Sequence, residues 1–532
     1  MNRIAKYLNQ HIVGTVYSAP LVLTAYATDR SVLKVHPRVV ALPENTDDVR
    51  KLVRFSNQLA TKNVPLPVTV RGTGLDETGA AIGSGIIISM EKMNRIQEID
   101  PRQKLVRLQA GVKLGELKSA LALHGLTLPL NGNPDLTIGG MIANHFSGST
   151  AKKYGSIANY VSQAEIVLSS GDVIQTSVMN ERNLAKKKKI RGFEGEVYRK
   201  IDALMGVSEK ALELIPDAKT NLSGYPFMKN CKRKKGGFDI LPAFYGSQGT
   251  LAVVTEVILS CEVVTERPQY VALFADDIKH ALRISYAMAE LEPSELNTYD
   301  SLLFQEASEG NKDIKMFNKK LPEKGILVVA AFDDASLGKR RRKIRKLDRV
   351  LKNNVKYTVS DENNYGEFLE LESLMSIYLN DGVKSVRVPL VDDAYIPQER
   401  VADFYDMVQM LADKYSISLP VYGSALTSYY SVRPKVDLSS VPGRQFALAF
   451  IRDYAKMVTF SGGSLVGGAP EGRLKAIFTN QVMKPEVAEF YTEVKKIFDP
   501  NGVMNPGVKL EANMPAVVRR LRTSYNQGVV TE

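Results

Sequence analysis

The chain has 532 residues, of which 44% are hydrophobic and 24% charged, the composition of an ordinary globular protein. Seventy Lys and Arg residues against 58 Asp and Glu give a net charge of +12, which favours anionic ligands or surfaces. Two Cys and five scattered His residues fit neither a disulfide framework nor a metal site, so no metal is expected. We expect a cytoplasmic protein, because no apolar run reaches the length of a membrane span and residues 12–25 are only a weak signal-peptide match.

The first predicted elements lead to a glycine-rich loop. A leading helix and a loop over residues 1–30 precede a strand at Val39–Leu42, and Thr46 is expected to cap a helix over Asp47–Thr61. Glycine-rich residues 71–85 then separate the strands Val68–Val70 and Ile86–Ser89. Glycines let the main chain approach a ligand closely, and successive N–H groups form a concave site suited to a pyrophosphate. The spacing is not GxGxxG, and a glycine-rich hairpin without a ligand is the alternative.

The remaining elements predict two kinds of architecture along the chain. Up to residue 265 we expect strands and helices at Met93–Ile99, Leu105–Gln109, Leu114–His124, Val161–Ser169, Val173–Thr176, Glu194–Leu214 and Leu251–Ser260. Beyond it the pattern indicates helices on an antiparallel sheet. Its elements are Tyr270–Phe274, Asp277–Leu291, Ser294–Tyr299, Gly325–Phe332, Ala335–Lys352, Val355–Thr358, Val386–Pro389, Gln398–Tyr415 and Leu419–Tyr422, before a last helix at Pro485–Phe498. We therefore predict domains over residues 1–265 and 266–475, and a returning C-terminal segment over 476–532.

Two basic runs interrupt this pattern, at Lys186–Lys189 and Lys339–Lys346. The ordinary interpretation is a solvated loop for the first run and a solvated helix face for the second. The alternative is peripheral docking of both runs on an anionic membrane. Aromatic residues do not alternate with the basic ones, so no nucleic-acid partner is expected.

Eight short motifs follow one another along the chain. They are Asp29–Ser31, Arg71–Gly79, Gln109–Val112, Thr137–Ala143, Lys153–Gly155, Gly171–Ile174, Gly246–Thr250 and Phe498–Gly507. Together they resemble the FAD-binding domain of the p-cresol methylhydroxylase (PCMH) and vanillyl-alcohol oxidase superfamily, in particular its D-lactate dehydrogenase and glycolate oxidase D-subunit branch. The resemblance implies an α+β fold, in which a two-subdomain PCMH-type FAD-binding domain carries an α+β cap domain, an antiparallel sheet covered by helices.

The resemblance also implies a noncovalent FAD that accepts hydride at its N5 atom. The residues expected to bind it are Val70, Arg71, Gly72, Thr73, Gly74, Leu75, Thr78 and Gly79 in a pyrophosphate loop, Thr137, Ile138, Gly139, Gly140, Ala143 and Asn144 in and after a flavin strand, and His145, Gly148, Tyr154, Gly155, Val173, Ile174 and Asn505. His145 lies near the position of a covalent flavin histidine in some relatives, but in a different register. We expect it to be a packed or flavin-near side chain.

The sequence departs from the family where substrate oxidation is expected. The relatives' HAGDGNxH segment corresponds to Ser424–Ser431, which has no histidine, and their GEHGxG loop corresponds to Gly467–Gly472, where Gly468 and Ala469 replace the Glu-His pair. The Trp and Arg of the relatives' substrate helix are missing from Leu371–Leu379. Hydroxy-acid oxidation needs a general base near the hydroxyl group, and none stands at these positions.

Three hypotheses therefore remain open. The first is an FAD-dependent dehydrogenase of a small hydroxy acid, alcohol or sugar-type substrate; its catalytic candidates are Tyr422, Tyr429, Tyr430, Arg387 and Arg473. The second is an FAD-binding subunit without its own turnover in a larger electron-transfer complex. The third is a flavin-free protein that binds another anion, although the intact glycine loops argue against it. The electron acceptor could be a quinone, a cytochrome or a partner subunit.

Overall fold

The computed structural model describes residues 2–233, 237–264, 267–304, 325–351, 356–369, 371 and 386–525. Its contacts divide the chain into two compact units. The first unit comprises Met1–Phe146, Ser156–Val263 and Ala469–Leu521, and the second comprises Ser147–Gly155, Val264–Gly468 and Arg522–Glu532. The predicted substrate helix lies, apart from Leu371, outside the described residues, as does the predicted strand start at Val355. The three predicted domain ranges stay a prediction.

A four-stranded sheet opens the first unit. Its strands are, in spatial order, Thr15–Tyr17, Val39–Leu42, Ile86–Ser89 and Val68–Arg71. The last three are parallel, and the isoleucines of Ile86–Ser89 are fully buried, as is typical of parallel strands covered on both faces. The helix Thr46–Ala60 packs its predicted apolar face into this core. The predicted cap was wrong: Asn45, not Thr46, accepts a hydrogen bond from the Asp48 N–H, and the Thr46 hydroxyl donates to Glu165 instead.

A five-stranded antiparallel sheet also belongs to the first unit, beside a short pair of strands, Leu126–Thr127 and Glu262–Val263. Its strands are, in spatial order, Ile96–Asp100, Leu105–Gln109, Ala252–Ser260, Val161–Leu168 and Val173–Gln175. The first strand starts three residues later than predicted, because the Arg95 N–H bonds the side chain of Gln109 rather than a main-chain oxygen of that neighbouring strand. The helices of this unit are Arg3–Asn9, Pro20–Ala25, Thr46–Ala60, Leu114–Ala122, Ile138–Ala143, Glu181–Lys188, Phe193–Val207, Glu209–Leu214, Ala476–Val482, Pro485–Phe498 and Met514–Arg520.

The segment around the first basic run differs from its prediction. A helix, Glu181–Lys188, replaces the predicted solvated loop, because the Asn180 side chain caps it by accepting from the Asn183 N–H. The single helix predicted over Glu194–Leu214 is two helices, since Ser208 leaves the helical conformation at φ −108° and ψ 31°.

The second unit is built on a seven-stranded antiparallel sheet. Its strands are, in spatial order, Tyr357–Val359, Gln269–Ala275, Ile326–Phe332, Glu295–Asp300, Val421–Ser424, Tyr429–Val432 and Ala394–Tyr395. A short separate sheet pairs Val386–Arg387 with Lys435–Val436. The helices are Ala151–Tyr154, Ile278–Ala289, Leu337–Val350, Val401–Tyr415 and Val441–Phe460. The predicted α+β architecture is thus confirmed.

The 20-residue helix Val441–Phe460 was not predicted from the sequence. Pro442 and Gly443 open it, two residues that usually interrupt a helix. Here they occupy the first turn, where an N–H group has no partner within the helix, so the N–H that proline lacks is not missed. The Ser440 side chain accepts from the Gly443 N–H. None of the helices in the described part of the chain combines the length and apolar character needed to cross a bilayer.

Candidate functional site

A cleft in the first unit gathers three segments that are distant in the sequence. They are the loop after the strand Val68–Arg71, the helix Ile138–Ala143 and residues 244–254. The cleft contains about 880 Å³ of space between atoms, including the part open to solvent. Its lining residues are Val70, Gly72, Thr73, Gly74, Leu75, Asp76, Ala80, Ala81, Met90, Ala110, Leu136, Thr137, Gly139, Gly140, Ala143, Asn144, Phe244, Ser247, Gln248, Gly249, Ala252, Val253 and Val254.

The loop presents main-chain donors to this cleft. Within the described part of the chain, the N–H groups of Thr73, Gly74 and Leu75 donate to no protein acceptor. Gly74 is buried and has φ +79°, a conformation that favours glycine. Thr73 and Leu75 are half-buried. Three successive main-chain donors that line a cleft without a protein acceptor fit an anionic ligand.

Asp76 fixes the turn that carries these donors. Its Oδ1 atom accepts three hydrogen bonds, from Thr78 N at 2.8 Å, Thr78 Oγ1 at 2.9 Å and Ala80 N at 2.9 Å. The Asp76 carboxylate thus binds groups of the loop itself, and it does not bind the ligand.

Gln248 joins the loop to two other segments. Its Nε2 atom donates to Thr78 Oγ1 and to Asn144 Oδ1, both at 3.1 Å, and its Oε1 atom accepts from Gly472 N at 2.9 Å. It is buried and has φ +51°, uncommon for a residue with a side chain. The site prediction missed Gln248, although its motif, Gly246–Thr250, was one of the eight that carried the resemblance.

The predicted flavin strand is a helix, so this prediction was wrong. Ile138–Ala143 is helical, and the Thr137 side chain caps it by accepting from Gly140 N at 3.3 Å. Gly72 packs against this cap, since a Cβ atom there would lie 2.2 Å from Thr137 Oγ1. A Cβ atom on Gly139 would lie 2.9 Å from that of Ala110. These two glycines therefore permit close packing of protein against protein.

The structure brings ten of the predicted cofactor residues to the cleft. They are Val70, Gly72, Thr73, Gly74, Leu75, Thr137, Gly139, Gly140, Ala143 and Asn144. Others lie behind it: Asn505 Nδ2 donates to Ala80 O and Gln248 O at 2.8 Å each, and the Arg71 guanidinium donates to Thr28 O at 2.7 Å. Burial lowers the pKa of Arg71. These two side chains support the loop from inside the protein.

The other predicted cofactor residues do not line the cleft. Thr78 and Gly79 belong to the glycine-rich loop but do not line the cleft, and Ile138 is buried in the hydrophobic core of the first unit. Val173 and Ile174 lie on the edge strand of the five-stranded sheet. Gly148, Tyr154 and Gly155 belong to the second unit, where the Tyr154 hydroxyl donates to Asp333.

His145 is a packed side chain. Its ring centroid lies 4.2 Å from that of Phe227 and 6.3 Å from that of Tyr245, and its Nε2 atom lies 2.9 Å from Ser156 Oγ. Burial lowers the pKa of His145 to about 4, so the imidazole is neutral at pH 7. It is not among the residues that line the cleft.

Comparison with known families decides what kind of site this is. Residues 37–177 match the FAD binding domain family, and residues 265–508 match the C-terminal domain of FAD linked oxidases. The chain belongs to the FAD-linked oxidases. The predicted superfamily and cofactor are thereby confirmed, and the unpaired N–H groups of the loop fit the pyrophosphate of FAD.

This FAD-linked oxidase is similar to curated proteins that are named as dehydrogenases or as an oxidase subunit. It is 26% identical over 528 residues to the D-2-hydroxyglutarate dehydrogenase of Pantoea ananatis, covering 94% of this chain and 51% of the relative. It is 24% identical to the D-lactate dehydrogenase of Archaeoglobus fulgidus (91% and 95% covered) and 23% identical to the glycolate oxidase subunit GlcD of Bacillus subtilis (88% and 88%). The chain thus spans about half the length of the D-2-hydroxyglutarate dehydrogenases it matches.

Two solved structures share the fold. The 4-ethylphenol oxidase from Gulosibacter chungangensis superimposes with a TM-score of 0.67 at 14% identity, covering 94% of this chain and 95% of the other. An alkyldihydroxyacetonephosphate synthase gives a TM-score of 0.65 at 16% identity, covering 95% and 86%.

The catalytic candidates of this FAD-linked oxidase fall into both units. In the first unit the Arg473 guanidinium is buried, where it donates to Pro506 O, Ile82 O at 2.9 Å and Asn505 Oδ1 at 3.0 Å. It therefore joins the C-terminal segment to the glycine-rich loop. Arg387 lies in the second unit, buried, and donates to the main-chain oxygens of Ser418 and Arg433.

A polar cluster in the second unit contains Tyr422. Its hydroxyl donates to Asp392 Oδ1 at 3.0 Å, and Arg433 Nε donates to the same oxygen at 2.8 Å. Tyr430 is different: it is fully buried beside Phe404 and Tyr405, and burial raises its pKa. Because of this raised pKa, the Tyr430 hydroxyl stays protonated at neutral pH.

The loop in which the resemblance implied a Glu-His pair leaves no room for side chains at Gly467 and Gly468. A Cβ atom on Gly467 would lie 2.6 Å from Tyr395 Cβ. One on Gly468 would lie 2.9 Å from Asp393 Cβ and 3.1 Å from Tyr429 Cδ2. In the part of the chain that the structure describes, no three His, Cys, Asp or Glu side chains are arranged to hold a metal ion.

Proposed function

We propose that this FAD-linked oxidase is a dehydrogenase that oxidises a small hydroxy acid, with an alcohol or a sugar-type compound as the alternative substrate. The observation that carries the proposal is the cleft whose loop offers the unpaired N–H groups of Thr73, Gly74 and Leu75 to an anion. The relatives named above are a D-2-hydroxyglutarate dehydrogenase, a D-lactate dehydrogenase and a glycolate oxidase subunit. Their names support a hydroxy acid as the substrate.

Under this proposal FAD binds noncovalently in the cleft. The N–H groups of the loop hold the pyrophosphate, and Asp76 and Gln248 hold the loop. Bound FAD would supply the hydride acceptor. The neutral, packed His145 contributes no charge to the cofactor.

For the substrate we propose the Tyr422 cluster as the protein's contribution to proton transfer. Tyr422 already donates its hydroxyl proton to a carboxylate that Arg433 holds in place. A phenol in this arrangement can pass a proton from a substrate hydroxyl to Asp392. Tyr429 and Arg387 remain candidates for orienting the substrate, whose carboxylate would suit an arginine.

The test is anaerobic bleaching of the flavin absorption. Purified protein should be yellow and should release its flavin on denaturation; D-2-hydroxyglutarate, D-lactate and glycolate are then added one at a time without oxygen. We expect one of them to bleach the flavin, and Tyr422→Phe to slow bleaching at least tenfold while the protein retains its flavin. Tyr430→Phe is the matched control and should leave the rate unchanged. A colourless protein that cannot take up FAD would contradict the whole proposal.

The second candidate function is an FAD-binding subunit without its own turnover. It is supported by the lack of histidine in Ser424–Ser431 and by the closed space at Gly467 and Gly468. On this alternative no hydroxy acid, alcohol or sugar lactone bleaches the flavin, although chemical reduction by dithionite does. That outcome would replace the first proposal by the second.

A further inference from the structure

The helix Leu337–Val350 of the second unit has one buried and one strongly basic side. Ile344 and Leu347 belong to the core beneath the sheet, and the Arg340 guanidinium is buried, donating to Asp334 O and Arg267 O. The exposed basic residues are Lys339, Arg341, Arg342, Arg345, Lys346 and Arg349. The buried anchors fix which side of the helix faces solvent.

These six cations are not neutralised by the described part of the protein. None of them forms an ion pair there, and Arg345 bonds only the Arg341 carbonyl of its own helix. Nearby carboxylates have other partners: Asp334 pairs with Lys343 at 3.0 Å, and Asp348 accepts from the Tyr357 hydroxyl at 2.7 Å. The six cations on this face, none of them ion-paired within the described residues, outnumber the exposed carboxylate of Asp348 on the same helix and therefore favour an anionic partner.

The other basic run has a different environment. In the helix Glu181–Lys188, Lys187 pairs with Glu194 at 2.5 Å and Lys188 pairs with Asp202 at 2.6 Å. Two runs of similar composition are therefore distinguished by their surroundings. Two of the four lysines of Lys186–Lys189 are in ion pairs within the described residues, whereas none of the six exposed cations of Leu337–Val350 is.

The shape of the basic face favours an extended partner. A helix of 14 residues is about 21 Å long, so the six charges form a row rather than a pocket for one small anion. The helix contains no aromatic side chain on which nucleic-acid bases could stack. Its first residue, Leu337, is 48% exposed and offers an apolar contact beside the charges.

We propose that the exposed face of Leu337–Val350 docks the protein on an anionic lipid surface. Clusters of four to eight Lys and Arg residues bind such surfaces through the negative potential of the headgroups, and salt weakens the attraction. The face formed by the six cations meets this requirement, and the run Lys186–Lys189, with two of its four lysines in ion pairs, does not. The inference is independent of the substrate and of turnover.

Vesicle sedimentation of the full chain tests this docking. Phosphatidylcholine vesicles with and without 30% phosphatidylserine are spun down with the protein at low and at high salt. The test variant is Arg341→Gln/Arg345→Gln/Lys346→Gln, which removes three charges from the basic face. The matched control is Lys186→Gln/Lys187→Gln/Lys188→Gln, which removes three charges from the other run. Thermal melting and flavin absorption verify that both variants are folded.

We expect binding only to vesicles with phosphatidylserine, at least tenfold less binding for the test variant, little change for the control, and release at high salt. The proposal is overturned if the protein stays in the supernatant with phosphatidylserine vesicles at low salt. It is equally overturned if the two triple variants lose the same amount of binding, or if duplex DNA at equal charge binds the protein more tightly than the vesicles do.

Discussion

Lys509 Nζ lies 2.9 Å from Glu471 Oε2, and neither side chain has any exposed surface. The other carboxylate oxygen of Glu471 accepts from the Gly224 N–H at 2.8 Å, and the ammonium lies 5.8 Å from the centre of the Tyr225 ring. Burial lowers the pKa of Lys509, and the carboxylate opposes that shift. The pair joins the segment before Gly472 to the C-terminal end of the first unit.

Replacing Glu471 by Gln should destabilise the protein by about 3–5 kcal/mol, because it leaves the Lys509 ammonium buried without its counter-charge. Urea unfolding measures the change. The control is Glu493→Gln, which removes the partner of Lys496 from an exposed pair and should cost less than about 1 kcal/mol. Equal losses for the two variants would show that the buried pair has no special weight.

Gly74→Ala should abolish FAD retention. Gly74 has φ +79°, and a Cβ atom would lie 2.2 Å from Arg71 Nη2, so the substitution deforms the loop that carries the unpaired N–H groups. Gly125→Ala is the control, since Gly125 has φ +69° with no atom within 4 Å of the added Cβ. It should cost about 1–2 kcal/mol of stability and leave the flavin bound. The flavin-to-protein absorbance ratio after gel filtration distinguishes them, and equal ratios would contradict the role of the loop.

Gln248→Leu should weaken FAD binding at least tenfold, which is about 1.4 kcal/mol. The substitution removes the hydrogen bonds to Thr78, Asn144 and Gly472 and leaves buried polar groups without partners. Titration of the apoprotein with FAD measures the dissociation constant. Gln97→Leu removes an exposed amide that bonds only Glu256 and should leave the constant unchanged. An unchanged constant for Gln248→Leu would mean that the loop holds its shape without this side chain.

The stability of the protein should fall as the pH decreases from about 6.5 to about 4, partly because of His145. The pKa of His145 is about 4 in the folded chain and about 6.5 in the unfolded chain, so the unfolded chain binds more protons between these values. Between pH 7 and pH 5 the loss from this group is about 2 kcal/mol.

His145→Asn should remove that part of the pH dependence, and asparagine tolerates the φ of +51° at this position. Denaturant unfolding at the two pH values provides the measurement. The exposed His124, replaced by Asn, is the control and should keep the wild-type slope. If His145→Asn keeps the slope as well, the imidazole is not the group that titrates.

Features encoded by neighbouring residues were predictable from the sequence. The glycine-rich loop follows a β-branched strand, and the apolar spacing of Val49, Leu52 and Val53 defines the buried face of one helix. Which of two neighbouring, equally suitable residues caps a helix was not predictable from the sequence. Asn45 and Thr46 are both residues that commonly cap a helix. Asn45 is the cap because the Thr46 hydroxyl donates to Glu165, which lies on a strand that is distant in the sequence.

Parts of the site that depend on distant segments could not be predicted. Gln248 lines the cleft because Thr78, Asn144 and Gly472 converge on its amide, a convergence that no local pattern encodes. Thr137–Ala143 was predicted as a strand from the family motif, but a cap at Thr137 starts a helix there. Arg473 looked like a ligand for a substrate carboxylate, and its partners are carbonyl oxygens and Asn505 of the first unit.

Asn505 has a consequence for the order of events during synthesis on the ribosome. Its Oδ1 atom accepts from Thr69, which is 436 residues earlier, and its amide donates to Ala80 in the glycine-rich loop. At about 5–20 residues per second, that interval takes roughly 20–90 s to translate. Throughout this time the nascent first unit lacks the support of Asn505 for its loop, while Val264–Gly468 of the second unit emerges. We therefore expect a stable FAD complex to form only after translation has passed residue 505, so that the cofactor is acquired late.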